Sequence, residues 1–435
     1  MNRLRLAGTP DLLSWHQLDP EAYPVLLESS SGEGWHILMA LPESIRLYSS
    51  ANAATLHHDL RALELGNESR LAELPELPFR GGWFLYLGYE YLHQIEPSVL
   101  PREPDDAFPL AALMKIPAAV VQHAGSGETW LVSETGLQLH QLERDSRRVV
   151  PVVSVQLPVI TLVEEAPEAF LDGVASIREY IRAGDVFQVN LSRRWHGYAS
   201  QPVDPASLRL RLRDANPAPF AGLARLDATH AIVSSSPERL FSIRQGMIST
   251  RPIAGTHPRL PDAEADRQQR DALLEHPKER AEHIMLVDLE RNDLGRVCQP
   301  GSVRVEELMG VSSYAWVHHI ESVVTGRLQS GWQPADVVRA LFPGGTITGC
   351  PKVRTMQIIR ELETTPRHAY TGSMGYINRN GDMDLNILIR SMMVAGPELT
   401  FSAGAGIVAD SDPQRELQET RAKARGLLRA LEENG

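Results

Sequence analysis

The chain has 435 residues, 43% hydrophobic and 23% charged, the balance of a globular protein with a substantial core. Its net charge of −12 and lack of a long basic run exclude nucleic acid as the main ligand, although a local Arg/Lys cluster can still hold a small anion. Two distant cysteines, Cys298 and Cys350, give neither a zinc spacing nor a disulfide framework, and no stretch approaches the ~20 apolar residues of a membrane span, so a reducing, cytoplasmic setting without membrane contact is expected.

Met1 to Pro10 carries two arginines and no apolar segment of signal-peptide length. Residues 1–155 then mix short apolar runs with Gly/Pro punctuation, as in Gly81 to Tyr89 and Met114 to Pro117, and read as strands. Val149 to Glu165 is Val/Pro-rich without a helical period and is the expected linker between two parts, 1–155 and 165–435. Pro167 opens a predicted helix with Phe170, Val174, Ile177 and Ile181 on one stripe and Gly184 beyond its end. Alternation follows, with Phe187, Val189 and Leu191 on one face and Gln188 and Asn190 on the other. A hairpin is predicted from Leu240 to Thr250, turning at Gln245-Gly246, then helices from Asp262 to Glu275, Glu279 to Asp288 and Pro334 to Leu341. Three strands are predicted from His368 to Asn378, Met383 to Val394 and Leu399 to Ile407, with Asn380-Gly381 as a turn, before a helix from Pro413 to Glu432. Runs of antiparallel strands between long helices indicate an α+β fold.

Several constellations point to chemistry. On the last helix Glu416, Glu419 and Lys423 share a face, which fits either a solvated ion-paired surface or a site. The preceding strand ends Ser402-Ala403-Gly404-Ala405-Gly406, nearly bare of side chains, and Glu282 lies on a separate helix. Two carboxylates from separate helices suit Mg²⁺, which completes its shell with substrate oxygens and water. The segment Gly344 to Lys352 lacks the Lys-Ser/Thr of a phosphate loop but feeds a helix whose start suits a carboxylate. Arg390 would share a strand face with Asp384 and Asn386, and guanidinium suits bidentate carboxylate binding. His318-His319 lacks a third ligand at metal spacing, so a hydrogen-bonding role is expected.

These pieces resemble, in order, the blocks of the chorismate-utilising enzymes: SSSPERL at 234–240, RPIAGT at 251–256, ERAEHIMLVDLERNDLGRV at 279–297, VHHIES at 317–322, FPGGTITGCPKVR at 342–354, GSMGYI at 372–377, ILIRS at 387–391, SAGAGIV at 402–408 and ELQETRAKA at 416–424. The resemblance implies antiparallel sheets packed face to face with helices outside, a regulatory-like half at 1–155 and a chorismate-binding half at 165–435. It implies Mg²⁺ held by Glu282 and Glu419 with Glu416 close by, and Glu238 as general acid at the departing hydroxyl. Gln188 and Thr256 would join the catalytic set, while His319, Thr346, Tyr376, Arg390, Lys423 and the Gly404, Ala405 and Gly406 backbone would hold chorismate. The chemistry is coherent, since hydroxide leaves poorly unless protonated.

Within the family, the water-adding members resemble one another in a basic lysine where this chain has Gln188, so ammonia is the expected nucleophile. The Phe187 to Ser192 block resembles the aminodeoxychorismate branch. Ala254, where that branch usually has a nucleophilic lysine, resembles the anthranilate branch instead. Cys350 lies within one of these blocks, Cys298 directly follows another, and no Cys-His-Glu constellation is seen, so a separate glutamine amidotransferase, component II, is the implied partner. A chorismate-binding regulatory subunit without catalysis would be expected to lose Glu238, Glu282 or Glu419, and all three are here. Finally, Leu26 to Ser29 resembles the family's tryptophan-pocket motif, with Leu27, Glu28 and Ser29 facing Pro217 and Phe220; by itself the segment also reads as core residues ending a strand.

Overall fold

Alternating burial shapes the strand Gln188–Ala199, where Val189, Leu191, Arg193 and Trp195 are buried and the residues between Val189 and Trp195 are half-exposed. It pairs along ten residues with Glu398–Ile407, from Val189 opposite Ile407 to Tyr198 opposite Glu398. The structure, a computed structural model, describes residues 2–30, 34–66, 77–100, 102, 107–275, 277–313 and 317–432; the side chains of 256–258, 278 and 317 lie outside that description. Among these residues the strands form two antiparallel sheets, one of twelve strands and one of ten. No described helix is long and apolar enough to cross a membrane.

The segments 1–155 and 165–435 share both sheets. Val25–Glu28 pairs with Trp35–Ala40 on one side and Phe220–Arg225 on the other. In the second sheet Gly82–Leu87 lies between Ala111–Ile116 and Ser373–Asn378. The expected linker is partly ordered into this scheme, because Ile160–Glu164 pairs with the end of Gln188–Ala199.

The sheets face each other across a core that includes Val25, Met39, Phe84, Met114, Ile232 and Met393. Helices cover the outer faces. Pro167–Arg182 and Lys352–Leu362 pack on Val189, Leu191 and Ala405. Pro205–Ala215 and Pro413–Leu431 cover Trp195 and Phe401, whose rings stack at 5.4 Å. Burying such side chains stabilises the fold by ~1.5–3 kcal/mol each. Pro413–Leu431 starts with a proline at its first turn and an Asp412 carboxylate accepting from the Arg415 amide at 3.0 Å, and it buries Leu417, Thr420, Ala424 and Leu427.

Two expectations need correction. Phe187 does not share the buried face of Val189 and Leu191; it precedes the strand and is 66% exposed. The predicted strand from Met383 to Val394 is two strands, Met383–Asn386 in the second sheet and Ser391–Ala395 in the first. The chain crosses between sheets at 387–390, and Arg390 takes a left-handed φ of 51° to make the turn. Arg390 therefore does not continue the Asp384–Asn386 face. A second crossing runs alongside, from His230–Ser236 to Arg239–Arg244, joined by Ile387 N–H donating to the Glu238 carbonyl at 3.0 Å.

Candidate active site

Glu238 is carried by one of these crossings and Arg390 by the other, so both sit where the sheets exchange strands. The Glu238 carboxyl is 7% exposed and accepts a 2.6 Å hydrogen bond from the Thr346 hydroxyl. Burial pushes it up to about 7, opposed by Thr346, Lys423 and Arg390 and reinforced by Glu321. A carboxyl in this range keeps a proton available near neutrality. Thr346 belongs to the glycine-rich 344–349 segment, which is locked by the Thr348 hydroxyl donating to the Gly344 carbonyl at 2.8 Å.

His319 lies on Val317–Arg327, with Nδ1 3.2 Å from the Gly255 carbonyl. Burial lowers it to about 4, with Arg390 and His318 acting in the same direction, so its imidazole is neutral. His318 turns to Asp266 at 3.0 Å and Ser313 at 2.7 Å, the hydrogen-bonding role expected for one of the two histidines. Ala254 is buried opposite Ile320, and the register shifts at Gly255, whose φ is 66°. Thr256 pairs with His319 through the backbone, and its side chain is among those not described.

The opposite wall is the Gly404–Gly406 backbone. A Cβ at Gly406 would lie 2.3 Å from Gln188 Nε2, and one at Gly404 would lie 2.7 Å from both Asn190 Oδ1 and the Tyr370 hydroxyl. At Gly404 a Cβ would also meet the Leu191 carbonyl at 2.8 Å, so close approach of backbone calls for glycine there. Gln188 Nε2 donates to Glu282 at 2.6 Å. Lys423 donates to the Gly404 carbonyl at 3.0 Å and pairs with Glu419 at 2.7 Å. Glu416 lies in the first turn of the same helix.

Glu282 and Glu419 lie on different helices; Glu282 would be 3.7 Å from a Cβ added at Gly406, and Glu419 is joined to the same strand through Lys423, which bonds the Gly404 carbonyl. Among the described residues no three of His, Cys, Asp and Glu converge as a metal cage. Two hard oxygen donors beside an open backbone still fit Mg²⁺, which takes few protein ligands and relies on substrate and water.

The structure does not bring Tyr376 to this group. Its hydroxyl accepts from Arg244 Nη2 at 2.6 Å and its ring faces Phe79, on the wall of a second cavity. Tyr370, six residues earlier, occupies the place beside Gly404. Sequence reading also passed over Glu290, which burial, then the adjacent Asp293, push up to about 8 against the pull of Lys352. Lys352 itself pairs with Asp293 at 2.6 Å. The polar run Arg291-Asn292-Asp293 that follows Glu290 gave no sign that it points inward.

The second cavity, about 400 Å³, is lined by Leu27, Glu28, Ser29, Pro219, Phe220 and Tyr376 among others. It gathers most of the motif residues. Pro217 is not on its wall, because it still belongs to the exit of Pro205–Ala215 while the strand begins at Phe220. Burial alone would raise the Glu28 carboxyl, but Arg209 at 2.8 Å and Arg213 at 2.6 Å hold it below the usual range. Pro237, also on the wall, adjoins Glu238 in sequence.

A model of the chorismate binding enzyme family matches residues 22–429. A Synechocystis protein called anthranilate synthase component I-like is 41% identical over 362 residues, 82% of this chain and 74% of that protein. The Bacillus subtilis aminodeoxychorismate synthase component 1 is 40% identical over 374 residues, 83% of this chain and 78% of that protein. The crystal structure of anthranilate synthase component I from Streptococcus pneumoniae matches with a TM-score of 0.78 at 31% identity, covering 92% of this chain and 93% of that one.

Proposed function

The chain belongs to the chorismate-binding enzyme family, and from that premise we propose that it is an aminodeoxychorismate synthase component I, converting chorismate and ammonia to 4-amino-4-deoxychorismate and water. The observation that carries amination is Gln188, and the resemblance of the Phe187 to Ser192 block to the aminodeoxychorismate branch carries the choice of product. A neutral amide, donating to Glu282 at 2.6 Å, stands beside the bare glycine strand. It cannot take a proton from water, so the nucleophile must be reactive without prior deprotonation, as neutral ammonia is. The name of the Bacillus subtilis relative supports the same product.

In this reading Glu238 gives its proton to the departing hydroxyl, which leaves as water, and Thr346 holds the carboxyl toward the substrate. The proton lost by the incoming nitrogen restores Glu238. Neutral His319, Arg390, Lys423 and Tyr370 position the substrate's polar groups. Glu282 and Glu419 would hold Mg²⁺, with Glu416 adjacent; the cation would orient a carboxylate and stabilise developing charge. Ala254 carries no nucleophile, so no lysine-bound intermediate forms at this strand position. Ammonia would come from a glutamine amidotransferase, component II, and the product would feed 4-aminobenzoate and folate synthesis.

Anthranilate synthesis is the second reading, favoured by Ala254 and by the names of the Synechocystis and Streptococcus pneumoniae proteins. Chromatography after incubation with chorismate, Mg²⁺ and ammonium distinguishes the two. We expect a product that a lyase converts to 4-aminobenzoate. Fluorescent anthranilate dominating without lyase would overturn the proposal.

A further inference from the structure

The strand Val317–Arg327 turns its two faces to different surroundings. His318 bonds Asp266 of Ala263–Glu275 at 3.0 Å, and Ser322 bonds His283 of Pro277–Gly295 at 2.5 Å, so that face meets the helices. His319 and Glu321 alternate with them and point the other way. His319 reaches the active site, whereas Glu321, buried, reaches the wall of the second cavity. Pro237 and Arg239 line the same cavity, and Glu238 between them turns to Thr346. Cavity and active site thus share a wall, and Glu321 is a charged group within it.

The cation beside Glu321 is Arg251, with Nη1 3.5 Å from Oε2. The pairing is uneven, because the Glu321 side chain is 5% exposed and that of Arg251 48%. A guanidinium half in water is screened and neutralises a buried carboxylate only in part. The neighbouring charges have other partners. Arg239 pairs with Asp384 at 2.9 Å, Arg244 donates to the Tyr376 hydroxyl at 2.6 Å, and Glu306, on the adjoining strand, accepts from Thr325 at 3.0 Å. Around Glu238 stand the cations Lys423 and Arg390 and the carboxylate of Glu321, and Glu290 on Pro277–Gly295 also feels its charge.

We propose that Glu321 is a positioning residue for the proton of Glu238: its carboxylate, held in the shared wall, disfavours a negative charge on Glu238, and Arg251 sets how strongly. The inference rests on the reading of Glu238 as general acid, and it holds for either product, since both require the hydroxyl to leave. Lys423 and Arg390 suit the carboxylates of a substrate, yet they also favour an ionised Glu238. Glu321 opposes them from the cavity side, so the pocket attracts an anion and still presents a protonated acid.

The test is the pH dependence of kcat/KM for chorismate in wild type, Glu321→Gln and Arg251→Met, with free ammonia held constant so that its own protonation does not enter. A group that must be protonated gives a limb that falls as pH rises. We expect that limb to move to lower pH by about half a pH unit or more in Glu321→Gln, and to higher pH in Arg251→Met. A merely structural role would lower the rate at every pH and leave the limb in place. Circular dichroism checks folding, and Arg251→Met, at a half-exposed position, carries the test if the glutamine variant does not fold. A limb unmoved in every folded variant, or moved the same way in both, overturns the role of Glu321. Glu238→Gln separates this inference from the reading beneath it. Turnover lost in that variant, with the limb unmoved in the others, refutes only Glu321, whereas turnover kept refutes Glu238 as the general acid.

Discussion

At Glu238, burial opposes ionisation while Thr346, Lys423 and Arg390 favour it, and the balance leaves the carboxyl at about 7 against 4.5 for a free glutamate. Because the folded value is raised, ionising Glu238 weakens the fold. The effect is absent below about pH 4.5, where both states are protonated, and complete above about pH 7. We predict that Glu238→Gln gains stability relative to wild type between about pH 4.5 and pH 8, by up to about 3 kcal/mol. Urea unfolding at the two pH values reads this directly, and a difference independent of pH would show that the carboxyl is not held protonated. The same variant should lose turnover but keep chorismate binding in calorimetry, since only proton donation is removed. For the metal we predict that Glu282→Gln and Glu419→Gln each abolish turnover at ordinary Mg²⁺, because an amide lacks the charge a hard cation needs. Near-wild-type rate and Mg²⁺ dependence in either variant would remove that carboxylate from the ligand set. Tyr370 was illegible in the sequence for a simple reason. It lies in a short irregular stretch, Pro366 to Gly372, without periodicity, whereas Tyr376 lies on an obvious strand and drew the assignment.

Among the elements, hairpins and capped helices were the legible part, because glycine turns and proline starts act locally. Gln245-Gly246 turns where predicted, with φ of 51° and 72°, and Pro334–Leu341 has the predicted bounds. The crossing at 387–390 was not legible. Ile387-Leu388-Ile389 continues a strand pattern, and nothing local announces that Arg390 adopts a left-handed conformation. Only the need of the two strands to join different sheets explains it. Nearby, buried Arg367 ties several site segments together. It donates to the Asn190 carbonyl at 2.7 Å, the Ile347 carbonyl at 3.1 Å and Glu363 at 2.6 Å, and it lies over the Tyr370 ring at 5.6 Å. We predict that Arg367→Met destabilises the protein by about 3–5 kcal/mol, since Glu363 would be left buried without its cation. Denaturant midpoints measure this, and a loss below about 1 kcal/mol, the scale of an exposed pair, would show that the network is not holding the segments.

At the scale of the molecule, both sheets are continuous across the 1–155 and 165–435 segments, so a ligand in the second cavity touches strands that lead to the site. Leu27 and Tyr376 belong to different sheets, and Pro237 adjoins Glu238. Leu27, Glu28 and Ser29 of the motif line this cavity, and the sequence could not show that Tyr376 and Arg244 complete its wall from the other sheet. We predict that millimolar tryptophan raises the melting temperature with little inhibition, by mass action amounting to ~2.7 kcal/mol at a hundredfold excess over its dissociation constant. An unchanged melting curve would remove the tryptophan assignment. Strong inhibition would reveal coupling to the active site and favour the anthranilate reading.

The position of the new carbon–nitrogen bond decides the central claim. The purified chain would be supplied with chorismate, Mg²⁺ and isotopically labelled ammonium, and the product examined by nuclear magnetic resonance. The account predicts label bonded to C4 of a non-aromatic ring that still carries its enolpyruvyl group. Label on an aromatic ring carbon, with pyruvate released in equal amount, would contradict it.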